Sequence, residues 1–464
     1  MTTRAGGRQL CRDCRPVFGK RRTAMIQDHL CHTPCGDIRG VPAAPGVTAF
    51  KGIRYAEAGR WEYPRQITHW EGVYDASRFG PNAMQDAAFT PEDQNGRSPF
   101  YYHEFREGLD YTYSEDCQCL NIWAPDNAEK APVIVYIHGG AFLSGSGWDK
   151  AFDGPVWPQK GVIGVTLNYR LGLFGYTCLP ELAAETGHTG NYGLYDQLCA
   201  VQWVHDNIAA FGGDPGNITV MGQSAGAHSV QMLCSTKAAQ GLIARAVMSS
   251  GAGDDSVLFA GDWVMEHKYP FWTAWKEATG ASTLAQLRAL PPQALLSAMG
   301  KQFATQGFGK VMANMGPVWD TASFPDDGFT LPISYLAGGN TQDMKPEMAN
   351  DALRWCHKQP VGSYAWCFAR QLPGDDKGAW HSADLWYWFG TLSNCWRPFT
   401  DEDRALSGAM VSYLTHFAAS GNPNADGLPV WESAQQSGQV LRLDVPAAGM
   451  AALGEEAKAN VFGW

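Results

Sequence analysis

Four short apolar runs punctuate this chain: Pro132-Val133-Ile134-Val135-Tyr136-Ile137, Asn217-Ile218-Thr219-Val220-Met221, Ile333-Ser334-Tyr335-Leu336-Ala337-Gly338 and Ser363-Tyr364-Ala365-Trp366-Cys367-Phe368-Ala369-Arg370. They are too short for helices and rich in β-branched and aromatic residues, which suits strands of a parallel sheet covered on both faces. Longer periodic segments lie between them. Residues 225–234 contain no proline and read as a helix directly after the second run. Between Ser250-Gly251 and Pro332, Leu284, Leu287 and Leu290 share one helical face, and Pro291-Pro292 breaks that helix before the next. Strands alternating with helices predict an α/β fold around a mostly parallel sheet.

The junction after the second run carries the candidate chemistry. Gly222-Gln223-Ser224-Ala225-Gly226 reads as a nucleophile elbow, a sharp strand-to-helix turn that exposes a serine hydroxyl and tolerates only glycine beside the neighbouring strand and helix. The turn-rich Phe211-Gly212-Gly213-Asp214-Pro215-Gly216-Asn217 leads into its strand. A nucleophilic Ser224 needs a base, a carboxylate to orient that base, and N–H donors for an oxyanion. The first run feeds His138-Gly139-Gly140-Ala141-Phe142, where the N–H groups of Gly139 and Gly140, joined by that of Ala225, are expected to form a three-donor hole. His138 is read as structural. Among twelve histidines, His381 is the best base, on a loop after the fourth run. Asp343, on a polar turn after the third run, is the candidate acid, with Glu347 competing.

Composition narrows the picture. No low-complexity block or linker divides the 464 residues, so one large domain with a cap is expected. The formal charge of −11, without a basic stripe in the folded region, argues against nucleic acid and anionic membranes as partners. No run of 18 apolar residues could span a bilayer. Residues 1–24 are basic but lack an apolar core, so they fail as a signal peptide; they read as a disordered or non-native extension of a cytoplasmic protein. The aromatics at 380–388 either line a cleft or fill the core. Cys11-x-x-Cys14 and Cys31-x-x-x-Cys35 have zinc-like spacing. Against that reading, Cys35 runs into Gly36-Asp37-Ile38-Arg39-Gly40, a β-turn of the main domain, and no metal is expected. The other cysteines read as buried free thiols; Cys117 and Cys119, two apart on a strand, are not placed to bridge each other.

Further motifs resemble the type-B carboxylesterases, the α/β-hydrolase family of cholinesterases and bacterial para-nitrobenzyl esterases, from about residue 34 to the C-terminus. They are Phe50-Lys51-Gly52-Ile53-Arg54-Tyr55-Ala56, Glu115-Asp116-Cys117-Gln118-Cys119-Leu120-Asn121-Ile122, Asn168-Tyr169-Arg170-Leu171-Gly172, Gly190-Asn191-Tyr192-Gly193-Leu194-Tyr195-Asp196-Gln197, and Phe417-Ala418-Ala419-Ser420-Gly421-Asn422-Pro423-Asn424 followed by Trp431. The resemblance implies an α/β-hydrolase fold with residues 252–331 as a helical, lid-like insert. It also implies Ser224 as nucleophile, His381 as base, Asp343 as acid, and Gly139, Gly140 and Ala225 as oxyanion donors, acting on a small-molecule carboxylic ester without a cofactor. Two features depart from the family pattern. The acid is Asp rather than the usual Glu, and only 38 positions separate it from the histidine, implying a more open site. An amidase or carbamate hydrolase on the same residues is the alternative within enzymes, and a non-catalytic binding member of the fold the alternative outside them. Residues 86–113 and the insert are expected to shape the substrate pockets.

Overall fold

The structure is a computed structural model that describes residues 26–85, 97–253, 263–345 and 347–453. The 1–24 extension, with Cys11 and Cys14, lies outside them. In chain order the strands of the main sheet are β1 (Val41–Ala44), β2 (Val47–Arg54), β3 (Cys119–Pro125), β4 (Ala131–Ile137), β5 (Ile163–Leu167), β6 (Gly213–Gln223), β7 (Arg245–Ser249), β8 (Ser334–Asn340), β9 (Tyr364–Phe368), β10 (Val440–Leu443) and β11 (Gly449–Ala451). Their spatial order is β11-β10-β9-β8-β7-β6-β4-β5-β3-β2-β1. Every pairing from β10 to β5 is parallel, and the edges are antiparallel. This is the α/β-hydrolase fold. Val133, Ile134, Val135, Tyr136 and Ile137 of β4 are fully buried, as a strand with helices on both faces requires. Each such side chain contributes about 1.5–3 kcal/mol by leaving water.

Two local readings are corrected. The segment 211–217 is no simple turn: β6 already begins at Gly213, which pairs with Ala131, and the ladder resumes at Ile218 opposite Val133. Asp214, Pro215 and Gly216 bulge out of the strand, closed by the Gly216 N–H donating to Asp214 Oδ1 at 2.9 Å. Gly36–Arg39 is likewise a strand, antiparallel to Leu30–Thr33, and the turn is moved to Pro34 and Cys35. Cys31 and Cys35 are buried and donate to Ala210 O and to Ile67 O and Asn207 Oδ1, respectively. Among the described residues the ten cysteines are free, and no cluster of metal-binding side chains occurs.

The aromatics at 380–388 fill the core. Trp380, Trp386, Tyr387 and Trp388 are fully buried between the sheet and the long helix Asp401–Ser420. Their large apolar rings are removed from water by that packing.

Two family-like motifs meet in one buried ion pair. Arg170, just beyond β5, donates from Nε and Nη2 to Asp196 of the helix Tyr192–Asn207 at 2.8 and 2.7 Å. The pair locks the carboxyl end of the sheet to that helix, and removing one partner would leave a buried charge alone.

After β7 come helices Met265–Ala278, Leu284–Ala289, Pro292–Gln306 and Phe308–Asn314. A capping box between Thr283 and Gln286 starts the second, and Pro292 occupies the first turn of the third, where it loses no hydrogen bond. Trp272, Trp275, Leu287 and Leu295 are buried with Leu173 and Leu179 in a separate apolar cluster. Among the described residues no helix is long and apolar enough to cross a membrane.

Candidate active site

Ser224 sits between β6 and the helix Ala225–Cys234 at φ 58° and ψ −126°. A non-glycine residue is rarely held there, and its neighbours explain how it persists. A Cβ on Gly222 would come 2.2 Å from Gly226 O, and one on Gly226 would come 2.0 Å from Ile137 O. Only glycine permits these approaches. The Ser224 N–H donates to Ser249 O at 2.8 Å, so the turn is also pinned to the next strand.

The loop after β4 folds back over the elbow. A Cβ on Gly139 would stand 2.9 Å from Ser224 Cβ, which places that backbone against the serine. Gly140 has φ 110°, and Ala141 and Phe142 follow at 58° and 60°. The Leu143 and Ser144 N–H groups both donate to Gly140 O at 3.0 Å, closing the turn. Among the described residues no acceptor takes the N–H of Gly139 or Gly140, and Ala225 opens its helix, where the first N–H groups lack a carbonyl one turn back. Gln85 braces the loop, donating to Gly145 O and accepting from the Gly145 N–H at 3.0 Å each. His138 is buried and stacks on Tyr169; burial pushes it down to about 4, so it is neutral.

His381 lies beyond β9 with its backbone carbonyl accepting from Tyr101 Oη at 3.0 Å. Its Nδ1 is 2.5 Å from Asp343 Oδ1. Asp343 also accepts from the N–H groups of Asn340 and Met344, each at 2.9 Å. Burial pushes the Asp343 carboxyl up, but the His381 ring and these hydrogen bonds outweigh it, so the group titrates below its ordinary value. Glu347 is exposed at the start of the helix Met348–Lys358. The structure thus brings Asp343, and not Glu347, to the ring. Ser224 Oγ makes no hydrogen bond among the described residues; the Nε2 edge of His381 instead meets Gln223 Nε2 at 3.1 Å.

Three further polar side chains stand at the site without a sequence motif to mark them. Gln223 was visible only as the variable position of the elbow. Asn340 links Asp343 to a second buried carboxylate, Asp384, through its Nδ2 at 3.4 Å from Asp384 Oδ1. Asp384 accepts from Ser249 Oγ at 2.6 Å and Trp388 Nε1 at 3.1 Å; burial, reinforced by the nearby Asp343 charge, pushes it up to about 6. Its spacing, three residues after His381, was the available signal.

A cavity of about 460 Å³ opens onto Ser224, Gly139, Gly140 and His381. Met299, Phe303 and Met312 of the insert helices, with Met315 just past the last of them, form one wall, and Tyr101 and Phe105 of the helix Arg97–Phe105 line another. The 86–96 stretch, also expected to shape it, lies outside the described residues. Thioether side chains are flexible and polarizable, so the Met wall adapts to varied apolar groups.

A parallel sheet with a strained serine elbow at its carboxyl edge defines an α/β-hydrolase. More narrowly, the chain belongs to the carboxylesterase family, whose model matches residues 27–349 and 348–462. It is 29% identical to para-nitrobenzyl esterase of Bacillus subtilis (strain 168) over 483 residues, covering 89% of this chain and 94% of that one. It is 30% identical to the bile salt-activated lipase of Mus musculus over 486 residues, covering 83% of this chain and 76% of the lipase. A solved structure of PNB esterase superposes with a TM-score of 0.79 at 27% identity, covering 92% of this chain and 97% of the other. With these relatives, the chain is a carboxylic ester hydrolase.

Proposed function

We propose that the chain hydrolyses small-molecule carboxylic esters through an acyl-enzyme on Ser224. The observation that carries this reading is the meeting, in one cavity, of a serine on a strained elbow with a histidine whose far nitrogen is held by Asp343 at 2.5 Å. Ser224 Oγ attacks the ester carbonyl carbon while His381 Nε2 takes its proton. The tetrahedral oxyanion is received by the N–H groups of Gly139, Gly140 and Ala225. Collapse expels the alcohol, which takes the proton from His381. Water, deprotonated by the same nitrogen, then attacks the acyl-enzyme and frees Ser224. Asp343 keeps Nδ1 protonated, so the reacting nitrogen is the correct one. These steps require no metal or organic cofactor.

The helices of the insert serve as a lid-like wall of the substrate cavity, and their methionines favour esters with a sizeable apolar group. The test is hydrolysis of p-nitrophenyl esters from acetate to decanoate, beside the matched anilides, by the wild type and Ser224→Ala. Turnover of esters over anilides, lost by about 10⁴ or more in the variant, supports the reading. Equal, negligible rates in both would return the chain to the binding-protein alternative.

A further inference from the structure

Gln223 is 3% exposed and lines the same cavity as Ser224, with its carboxamide between Gly139 and His381. A Cβ on Gly139 would stand 2.9 Å from Gln223 Oε1, while Gln223 Nε2 is 3.1 Å from His381 Nε2. Two nitrogens at this distance bond only if one is a donor and the other a bare acceptor. His381 Nδ1 faces a carboxylate at 2.5 Å and must carry hydrogen, so Nε2 of the neutral ring presents its lone pair. The amide N–H fills it.

We infer that Gln223 is a positioning residue for His381: its amide donates to Nε2 of the resting imidazole, holding the ring in the neutral, Nδ1-protonated form and releasing it when Ser224 Oγ–H takes its place. This rests on the reading of His381 as the base. The physical consequence is one of sign. A donor aimed at the lone pair of Nε2 stabilises the neutral ring over the protonated one, which has no lone pair left to accept it. Among the described residues the titratable groups that face His381 are Asp343 at Nδ1, Asp384, and the neutral Tyr101 hydroxyl on its backbone carbonyl at 3.0 Å; the two carboxylates pull the opposite way when ionised. Gln223 is therefore the neutral counterweight on the reacting edge. The hydrogen bond also occupies the base until substrate arrives. Ser224 Oγ makes no hydrogen bond among the described residues, in keeping with a shared acceptor already taken.

The experiment follows the His381 ring directly, by titration of its nitrogen and Nδ1–H resonances, alongside the acid limb of kcat/KM for p-nitrophenyl butyrate. It compares wild type with Gln223→Met, which keeps the length and removes the donor, and Gln223→Glu, which adds a charge. The ring's midpoint is expected to rise by about half a pH unit in Gln223→Met and by more than one in Gln223→Glu, with the acid limb moving alike. An unmoved midpoint in Gln223→Met would reduce Gln223 to packing. A lowered one would show that the amide oxygen accepts from the imidazolium, and would overturn the inference. If either variant fails to fold, the other decides. Absence of ester turnover in the wild type would count against the proposed function alone, because the ring titration still reports on Gln223.

Discussion

His381 Nδ1 and Asp343 Oδ1 stand 2.5 Å apart, and the carboxylate's other oxygen is tied to the Asn340 N–H at 2.9 Å. Asp343 is thus fixed from behind and can orient the ring without moving. Asp343→Asn should lower kcat by about 10⁴, through the wrong imidazole tautomer, with little change in KM. Glu347→Gln, altering an exposed side chain, should leave the rate nearly unchanged. Steady-state kinetics of both variants provides the check, and the reverse ranking would move the acid.

Gly140 tests the proposed oxyanion role of the loop after β4. Its φ of 110°, and the 2.0 Å that would separate an added Cβ from Ser144 O, mean that alanine cannot be accommodated without shifting the loop. Gly140→Ala should cut kcat by about 10²–10³, the loss typical of one missing donor. The fold should be little disturbed, because β4 ends before this loop. A variant with normal kcat and unchanged melting would remove the loop from the chemistry.

Three buried groups set opposing dependences of stability on pH. His228 is pushed down to about 3 and His138 to about 4, first of all by burial. In the unfolded chain both protonate near 6.5, so the stability they contribute is present above that pH and lost as pH falls toward 4. Asp384, pushed up to about 6, has the opposite sign: the folded chain keeps a proton that the unfolded chain releases, which favours the fold as pH falls from 6 toward 4. The melting temperature should drop between pH 7 and pH 5. His228→Phe, which can keep the stack on Trp263, should flatten the drop, and Asp384→Asn should steepen it. Thermal scans across that range decide whether these groups behave as their burial demands.

The Met wall makes a prediction about substrates. Met299→Trp fills part of a 460 Å³ cavity and should shift the preferred p-nitrophenyl ester toward shorter chains. The decanoate should lose at least about tenfold more in kcat/KM than the acetate, since a few methylenes in an apolar pocket are worth that much. Equal losses across the series would place the wall outside the substrate's reach.

Where local chemistry and tertiary context agree, the chain is readable. The β-branched run ending at Ile137 has a single use, as a buried strand, and the glycines around Ser224 have a single use, as a close approach. Asp214-Pro215-Gly216 is different, because the same residues that make a turn also make a bulge, and only the ladder across to β4 decides which. Trp386 and Trp388 have the composition of a cleft lining but are claimed by the helix packed beneath them. The contact between Gln223 and His381 had no local signature, since it joins residues 158 positions apart.

The order of the strands has a consequence during synthesis. Ser224 leaves the ribosome well before Asp343 and His381, and β9 must pair beside β8 before the ring can reach the elbow. Until then Ser224 stands without its proposed base. On the proposed mechanism hydrolytic activity is a property of the finished sheet, and its appearance in a refolding experiment would time the docking of the strands that carry Asp343 and His381.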